Sequence, residues 1–102
     1  MTEANSTNVS ELFLYATNEG ALYTRSTIPA INNMARKKAK GQFDQEKAVK
    51  AFYHVADKAA RMYGREFSTG ERDGLQMFST ADRWAVAAQL LDYYTEEINE
   101  NA

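Results

Sequence analysis

The sequence has no cysteine, one histidine and one proline among its 102 residues. Without cysteine, disulfides, thiol chemistry and thiolate metal sites are excluded, and a single histidine excludes a His-rich metal site. Five glycines and one proline are too few turn residues for a sandwich or barrel of many short strands. No apolar run approaches the roughly 18 residues of a membrane span, and the N-terminus lacks the basic-then-apolar order of a signal peptide. We therefore expect a soluble, mainly helical, intracellular protein.

Apolar residues are plentiful enough to build a core. The sequence is 44% hydrophobic and 12% aromatic, which argues against wholesale disorder, and its length suits one domain. Helical periodicity then predicts an all-α fold. We expect a flexible tail over residues 1–7, followed over 8–102 by a single-domain helical bundle of three main helices plus a short N-terminal one.

The net charge of −2 hides a strong segregation along the chain. Residues 1–24 hold three acids and no base, 25–65 hold ten bases against three acids, and 66–102 hold eight acids against two bases. Such a chain can pair its own segments, or it can offer the basic middle to an anionic partner.

The short N-terminal helix is predicted to begin at Asn8. Asn8 is a favoured N-cap, and Glu11 stands three residues later as the capping-box partner. Gly20 suits the left-handed position that ends a helix. Residues 21–27 are then read as a connection.

The second helix is predicted to start near Pro29, which fits a first helical turn, and to end before Gly41. Its last turn is rich in cations, which suits the helix macrodipole. We call the compact cluster that these residues form the basic corner: Arg36, Lys37 and Lys40.

The third and longest helix is predicted over 45–66, with Asp44 as its N-cap. One side carries alanines and large apolar residues, as expected of a central helix contacted from two sides. The opposite side carries cations every three or four residues, although like charges at that spacing repel one another. We call this line the basic row: Lys47, Lys50, His54, Lys58, Arg61 and Arg65.

Residues 67–78 are read as a glycine-rich loop with a short extended piece over 75–78. The last helix follows, capped by Ser79 or Thr80, with Asp82 completing a capping box. The apolar periodicity of the helices predicts the following core: Leu12, Phe13, Ile31, Phe52, Val55, Ala59, Met62, Trp84, Leu91 and Tyr94.

The last helix offers one further candidate surface. Val86, Leu90 and Tyr93 form a second stripe on the last helix, read as outward-facing and as the seam of a homodimer. For catalysis, the motifs GxSxG, GxxxxGK[ST] and GxGxxG are all missing. We therefore predict a non-enzymatic protein with no catalytic residues, no metal site and no cofactor.

The stretch RKKAKGQFDQEKAVK, from Arg36 to Lys50, together with ELFLY at 11–15, resembles a family of small helical proteins encoded by tailed bacteriophages and related mobile elements. This resemblance covers about two-thirds of the chain and carries no known catalytic residues. It implies a phage accessory protein in the cytoplasm of the bacterial host cell. Small phage proteins of this kind often bind a host machine, and an anti-defence inhibitor of a CRISPR–Cas complex is one example.

Three functions therefore remain open at the level of sequence. The first is a phage accessory protein that binds a host protein or ribonucleoprotein complex through the basic corner and basic row. The second is a nucleic-acid-binding module that uses the same cations, against which stands the acidic pI near 5.4. The third is a self-associating structural component of the phage. No membrane partner is expected.

Overall fold

Most of the described residues lie in helices. A computed structural model describes residues 3–102, and none of these lies in a β-strand, so the all-α prediction is confirmed. Met1 and Thr2 of the predicted tail lie outside the described residues. The helical segments are α1 (Ser6–Asn18), α2 (Gly20–Leu22), a π-helix (Tyr23–Thr27), α3 (Ile28–Ala39), α4 (Gln45–Phe67), α5 (Glu71–Met77), α6 (Thr80–Tyr93) and α7 (Thr95–Glu100).

Helix α1 begins two residues earlier than predicted. Its N-cap is Asn5, whose Oδ1 accepts a hydrogen bond from the Asn8 amide at 3.0 Å, whereas Asn8 itself lies in the first helical turn. The Asn8 side chain is engaged elsewhere, because its Nδ2 donates to Asp82 Oδ2 at 3.2 Å. The N-cap differs from the predicted one because Asn5, three residues upstream, offers the same capping chemistry. The hydrogen bond to Asp82 keeps the Asn8 side chain from capping the helix.

The predicted connection over 21–27 is helical instead. Gly20 has no positive φ and starts α2, which runs through the π-helix into α3 without a break. Thr27 stands at the N-cap position of α3 and makes no side-chain capping bond. It is buried at 1% exposure, so its hydroxyl faces the interior of the protein. A continuous helical run with a widened turn therefore replaces the expected turn.

Helix α4 is the central element, and its predicted span was nearly correct. Asp44 caps it as predicted, accepting from the amides of Glu46 and Lys47 at 2.9 and 3.3 Å. Helix α4 packs most extensively against α6 and α5, and α1 lies across α4 and α6. Phe52 is fully buried where these helices meet.

Residues 71–77 form helix α5, so the predicted loop with an extended piece was wrong. Two glycines allow α5 to approach α4 closely. A Cβ at Gly74 would overlap the carbonyl oxygen of Ala60, and a Cβ at Gly64 would overlap that of Gly70. The glycines that suggested a loop are therefore positions of close contact between two helix backbones.

The C-terminal region forms two helices rather than one. The predicted capping box is confirmed, with Ser79 Oγ accepting from the Asp82 amide and Asp82 Oδ2 from the Ser79 amide. Helix α6 stops at Tyr93, and the buried Tyr94 stacks on Phe52 with ring centroids 5.9 Å apart. Burial raises the pKa of Tyr94 to about 12.

Most of the predicted core is buried, with Phe13 and Met62 only partly so. The prediction that Trp84 belongs to the core was wrong, because its side chain is 41% exposed. The buried side of α6 instead includes Val86 and Leu90 at 0% and 1% exposure. The buried side of α6 includes these two residues because α6 packs on both α1 and α4.

Candidate basic surface

The basic row lies on the outside of α4. Because Phe52, Val55 and Ala59 face the core, the opposite side of the helix faces solvent. Arg61 is half-buried, and the other five members of the row are exposed. The row extends over about 27 Å of helix axis at the usual helical rise.

The basic corner stands at the C-terminal end of α3, where Gly41 turns the chain with φ 69°. Arg36 and Lys40 are exposed and Lys37 is half-buried. Lys37 and Lys47 line the same small cavity of about 60 Å³, next to Phe43. The corner and the N-terminal end of the row therefore adjoin one another, although they belong to different helices.

Among residues 3–102, ion pairs involve only the two arginines of the basic row, Arg61 and Arg65, whereas Lys58 in the same C-terminal half bonds to Ser26 instead. In the C-terminal half, Arg61 pairs with Asp57 at 2.9 Å and with Glu71 at 3.4 Å, and Glu71 also lies 3.6 Å from Arg65. The hydrogen bond and the charge of Asp57, followed by those of Glu71, raise the pKa of Arg61. The sequence pattern did not reveal Glu71 as a partner, because the segment that carries it was read as a loop.

The N-terminal half keeps its cations free of carboxylates. Within residues 3–102, no acidic oxygen lies within 4.0 Å of a charged nitrogen of Lys47, Lys50 or His54, nor of the basic corner. We call this surface the basic face: Arg36, Lys37, Lys40, Lys47, Lys50 and His54.

A stacked aromatic pair, of which Trp84 is exposed and Tyr53 half-buried, borders the basic face. The ring of Trp84 stacks on Tyr53 with centroids 4.1 Å apart and an angle of 27° between the planes. The stacked Trp84 also lines a shallow, mostly apolar groove of about 480 Å³ that runs along the start of α4. The groove is lined by Gln45, Glu46, Lys47, Val49, Lys50 and Trp84. Sequence reasoning assigned Trp84 to the core and so missed it as a surface residue.

Another cation, Arg25, joins the C-terminal half of the row. It belongs to the π-helix and lines a cavity together with Lys58, Arg61 and Arg65. Sequence reasoning counted Arg25 only toward the charge of its segment, because a seven-residue connection gave no indication of which direction it faces.

The predicted homodimer seam is not an outward stripe. Val86 and Leu90 are buried in the core, and only Tyr93 is exposed, at 60%. Tyr93 makes edge-on contact with Phe13 at a centroid distance of 5.3 Å. The orientation was misjudged because α6 carries apolar residues nearly all round, so periodicity alone did not identify its buried side.

Within residues 3–102 no three acidic or histidine side chains cluster in a way that would hold a metal ion. In the same part of the chain, every helix is too short or too polar to cross a bilayer. Comparison with known proteins found no matching family, no matching curated protein and no matching solved structure.

Proposed function

We propose that this protein is a non-enzymatic binding module that docks on an acidic surface of another protein through the basic face. The observation that carries the proposal is a set of mostly exposed basic side chains that adjoin one another without carboxylate partners among residues 3–102. Like charges spaced three or four residues apart on a helix reduce its stability by a few tenths of a kcal/mol each. The cations of the basic corner suit the end of α3, but Lys47 and Lys50 lie near the N-terminal end of α4, where positive charge opposes the helix dipole. Charges kept against the stability of their own helix are expected where an external anion compensates them.

The exposed Trp84 gives this surface an apolar anchor. Tryptophan is among the residues that contribute most to binding energy at protein interfaces, and it does so best where the surrounding contacts exclude water. Trp84 is held rigidly by its stack on Tyr53, so little side-chain entropy remains to be lost on binding. The groove beside it suits an apolar side chain of a partner.

A protein partner fits better than nucleic acid. The chain as a whole carries a net charge of −2, and Asp44 and Glu46 stand beside the start of the basic row. These acids repel a phosphate backbone that lies along the whole length of the basic row. A protein can instead present a compact acidic patch to the cations alone. Dedicated nucleic-acid-binding domains are mostly basic overall.

The resemblance to phage-encoded proteins extends the proposal to the identity of the partner. In that reading the protein acts in the cytoplasm of the bacterial host and binds a host protein or ribonucleoprotein complex. Blocking a host machine, such as a CRISPR–Cas complex, requires only tight binding to its surface. That role agrees with a protein proposed to have no catalytic groups.

The test compares two charge-reversed variants of the full chain. Lys47→Glu with Lys50→Glu removes the centre of the basic face, whereas the control, Arg72→Glu with Gln76→Glu, adds almost as much negative charge at exposed positions of α5, away from the basic row and from Arg25. Because Lys47 and Lys50 are exposed without ion pairs, we expect the first variant to keep its melting temperature. Capture of poly-L-glutamate, and of partners from bacterial lysate treated with nuclease, should be lost in this variant and kept in the control.

Two results would overturn the proposal. One is full capture by a stably folded Lys47→Glu, Lys50→Glu variant. The other is capture that disappears on nuclease treatment, together with duplex-DNA binding that falls steeply with salt, which would identify the surface as a nucleic-acid site.

A further inference from the structure

The largest cation cluster outside the basic face surrounds a cavity of about 360 Å³ between the π-helix and α4. Four cations line it: Arg25 from the π-helix, and Lys58, Arg61 and Arg65 from α4. Leu22 and Met62 contribute an apolar floor. The volume falls within the range of small-molecule pockets, about 300–1,000 Å³.

The π-helix sets the shape of one wall of this cavity. A π turn holds one more residue than an α turn, and such turns are rare and occur frequently at functional sites. Here the widened turn contains both Arg25 and Ser26, which line the cavity together. Lys58 Nζ crosses from α4 and donates to Ser26 Oγ at 3.3 Å, so a cation and a hydroxyl stand side by side on this wall.

Helix α5 supplies the opposite wall through a single carboxylate. Glu71 accepts from Arg61 Nη1 at 3.4 Å and lies 3.6 Å from Arg65 Nε. Both distances are long for charge-assisted hydrogen bonds, which usually measure about 2.7–2.9 Å. Two arginines therefore already converge on one oxyanion without binding it tightly.

The charge count around the cavity leaves an excess of positive charge. Glu71 lies among its lining residues, and Asp57 pairs with Arg61 from the neighbouring turn of α4. Asp57 also lies 3.7 Å from Arg83 and so neutralises only part of the charge of Arg61. The four lining cations therefore keep an excess of two to three positive charges over the carboxylates, which favours a dianion over a monoanion. Arginine is the side chain best suited to phosphate, because its planar group donates two parallel hydrogen bonds.

We propose that this cavity binds a small organic phosphate monoester, with the phosphate between Arg25 and the Arg61–Arg65 pair and the organic group on the floor of Leu22 and Met62. In this arrangement the phosphate takes over the arginine contacts of Glu71, and Glu71 acts as an internal competitor. The site is distinct from the basic face, and its existence does not depend on the proposed protein partner.

The test measures binding to the full chain by calorimetry and by the rise in melting temperature. Adenosine monophosphate is the probe, inorganic phosphate tests the phosphate alone, and adenosine tests the organic group alone. We expect the monophosphate to bind and to stabilise the protein in proportion to its concentration. Inorganic phosphate should bind more weakly, and adenosine should not bind at about 10 mM, because it lacks the dianion.

Single substitutions locate the site. Arg25→Gln should weaken binding of the monophosphate about tenfold or more, and the fold should survive because Arg25 is exposed. The matched control Arg72→Gln changes an exposed arginine outside the cavity and should bind like the wild type. Glu71→Gln should bind several-fold more tightly, because the competing carboxylate is gone.

Three outcomes would overturn the proposal: no binding of the monophosphate or of phosphate by the wild type at about 10 mM, equal binding by folded Arg25→Gln, or weaker binding by folded Glu71→Gln. Lys47→Glu with Lys50→Glu should leave monophosphate binding unchanged. The proposals about the cavity and about the basic face can therefore be refuted independently of one another.

Discussion

The Asp82 side chain connects the start of α1 with the start of α6 by hydrogen bonds. The substitution Asp82→Asn tests how much these bonds contribute to the free energy of unfolding. The carboxylate is 2% exposed and accepts from the Asn5 amide at 2.7 Å, the Ser79 amide at 3.0 Å and Asn8 Nδ2 at 3.2 Å. Burial alone would raise its pKa, but these hydrogen bonds together lower it below the usual value of 3.8.

The size of the effect follows from this geometry. An asparagine can keep the bonds from Ser79 and Asn8 on its one oxygen, but its NH₂ group then faces the Asn5 amide. One hydrogen bond to a charged group, worth about 1.5–3 kcal/mol, is lost. The other two weaken because the acceptor is no longer ionised. We expect a loss of about 2–4 kcal/mol in the free energy of unfolding, a large share of the usual 5–15 kcal/mol.

Urea unfolding as a function of pH is the assay, with Asp92→Asn as the control. Asp92 is exposed near the C-terminal end of α6, so its neutralisation should leave stability unchanged or slightly raised. Because the folded-state pKa of Asp82 is lowered, its contribution is present above the unfolded value of 3.8 and lost as pH falls through the folded value. The stability gap between wild type and Asp82→Asn should therefore narrow below about pH 4. A gap that is absent at pH 7, or that stays constant to acid pH, would refute this account of Asp82.

Substitution of glycines should separate close helix contact from simple flexibility. Gly74→Ala should destabilise by about 3 kcal/mol or more, because its Cβ meets the backbone of Ala60. Gly20→Ala, with open space around it, should change stability by less than about 1 kcal/mol. Equal melting temperatures of the two variants would contradict the tight α4–α5 contact. Phe52→Ala should cost about 3–5 kcal/mol in chemical denaturation. Trp84→Ala should cost less than half as much, and a similar loss would show that the indole belongs to the core.

Local chemistry made parts of this fold predictable. Asp44 and Ser79 each precede an unambiguous helical pattern, and both cap the helices they were expected to cap. The orientation of the basic row also followed from sequence, because α4 is strongly two-sided over many turns. A feature was predictable from sequence where a residue at its position has only one plausible structural role, as these capping residues do.

Tertiary contacts decided the remaining features. Gly74 is read as a loop residue until its close approach to Ala60 is known, since glycine serves both purposes. Arg83 is only 8% exposed because its guanidinium donates to the carbonyl oxygens of Leu75 and Phe78, and no periodic pattern marks an arginine for burial. The π-helix and its Arg25 were missed for a similar reason, because a widened turn has no sequence signature that distinguishes it from a short connection.

The packing of α1 across α4 and α6 has a consequence during synthesis on the ribosome. The Asn5–Asp82 hydrogen bond joins residues 77 positions apart, so α1 leaves the exit tunnel long before α6 exists to cover it. Until then the apolar side of α1, with Val9 and Leu12, remains exposed to solvent and to chaperones. Nascent chains stalled before α6 should therefore bind ribosome-associated chaperones and be digested readily by protease, whereas chains released after α7 should resist digestion.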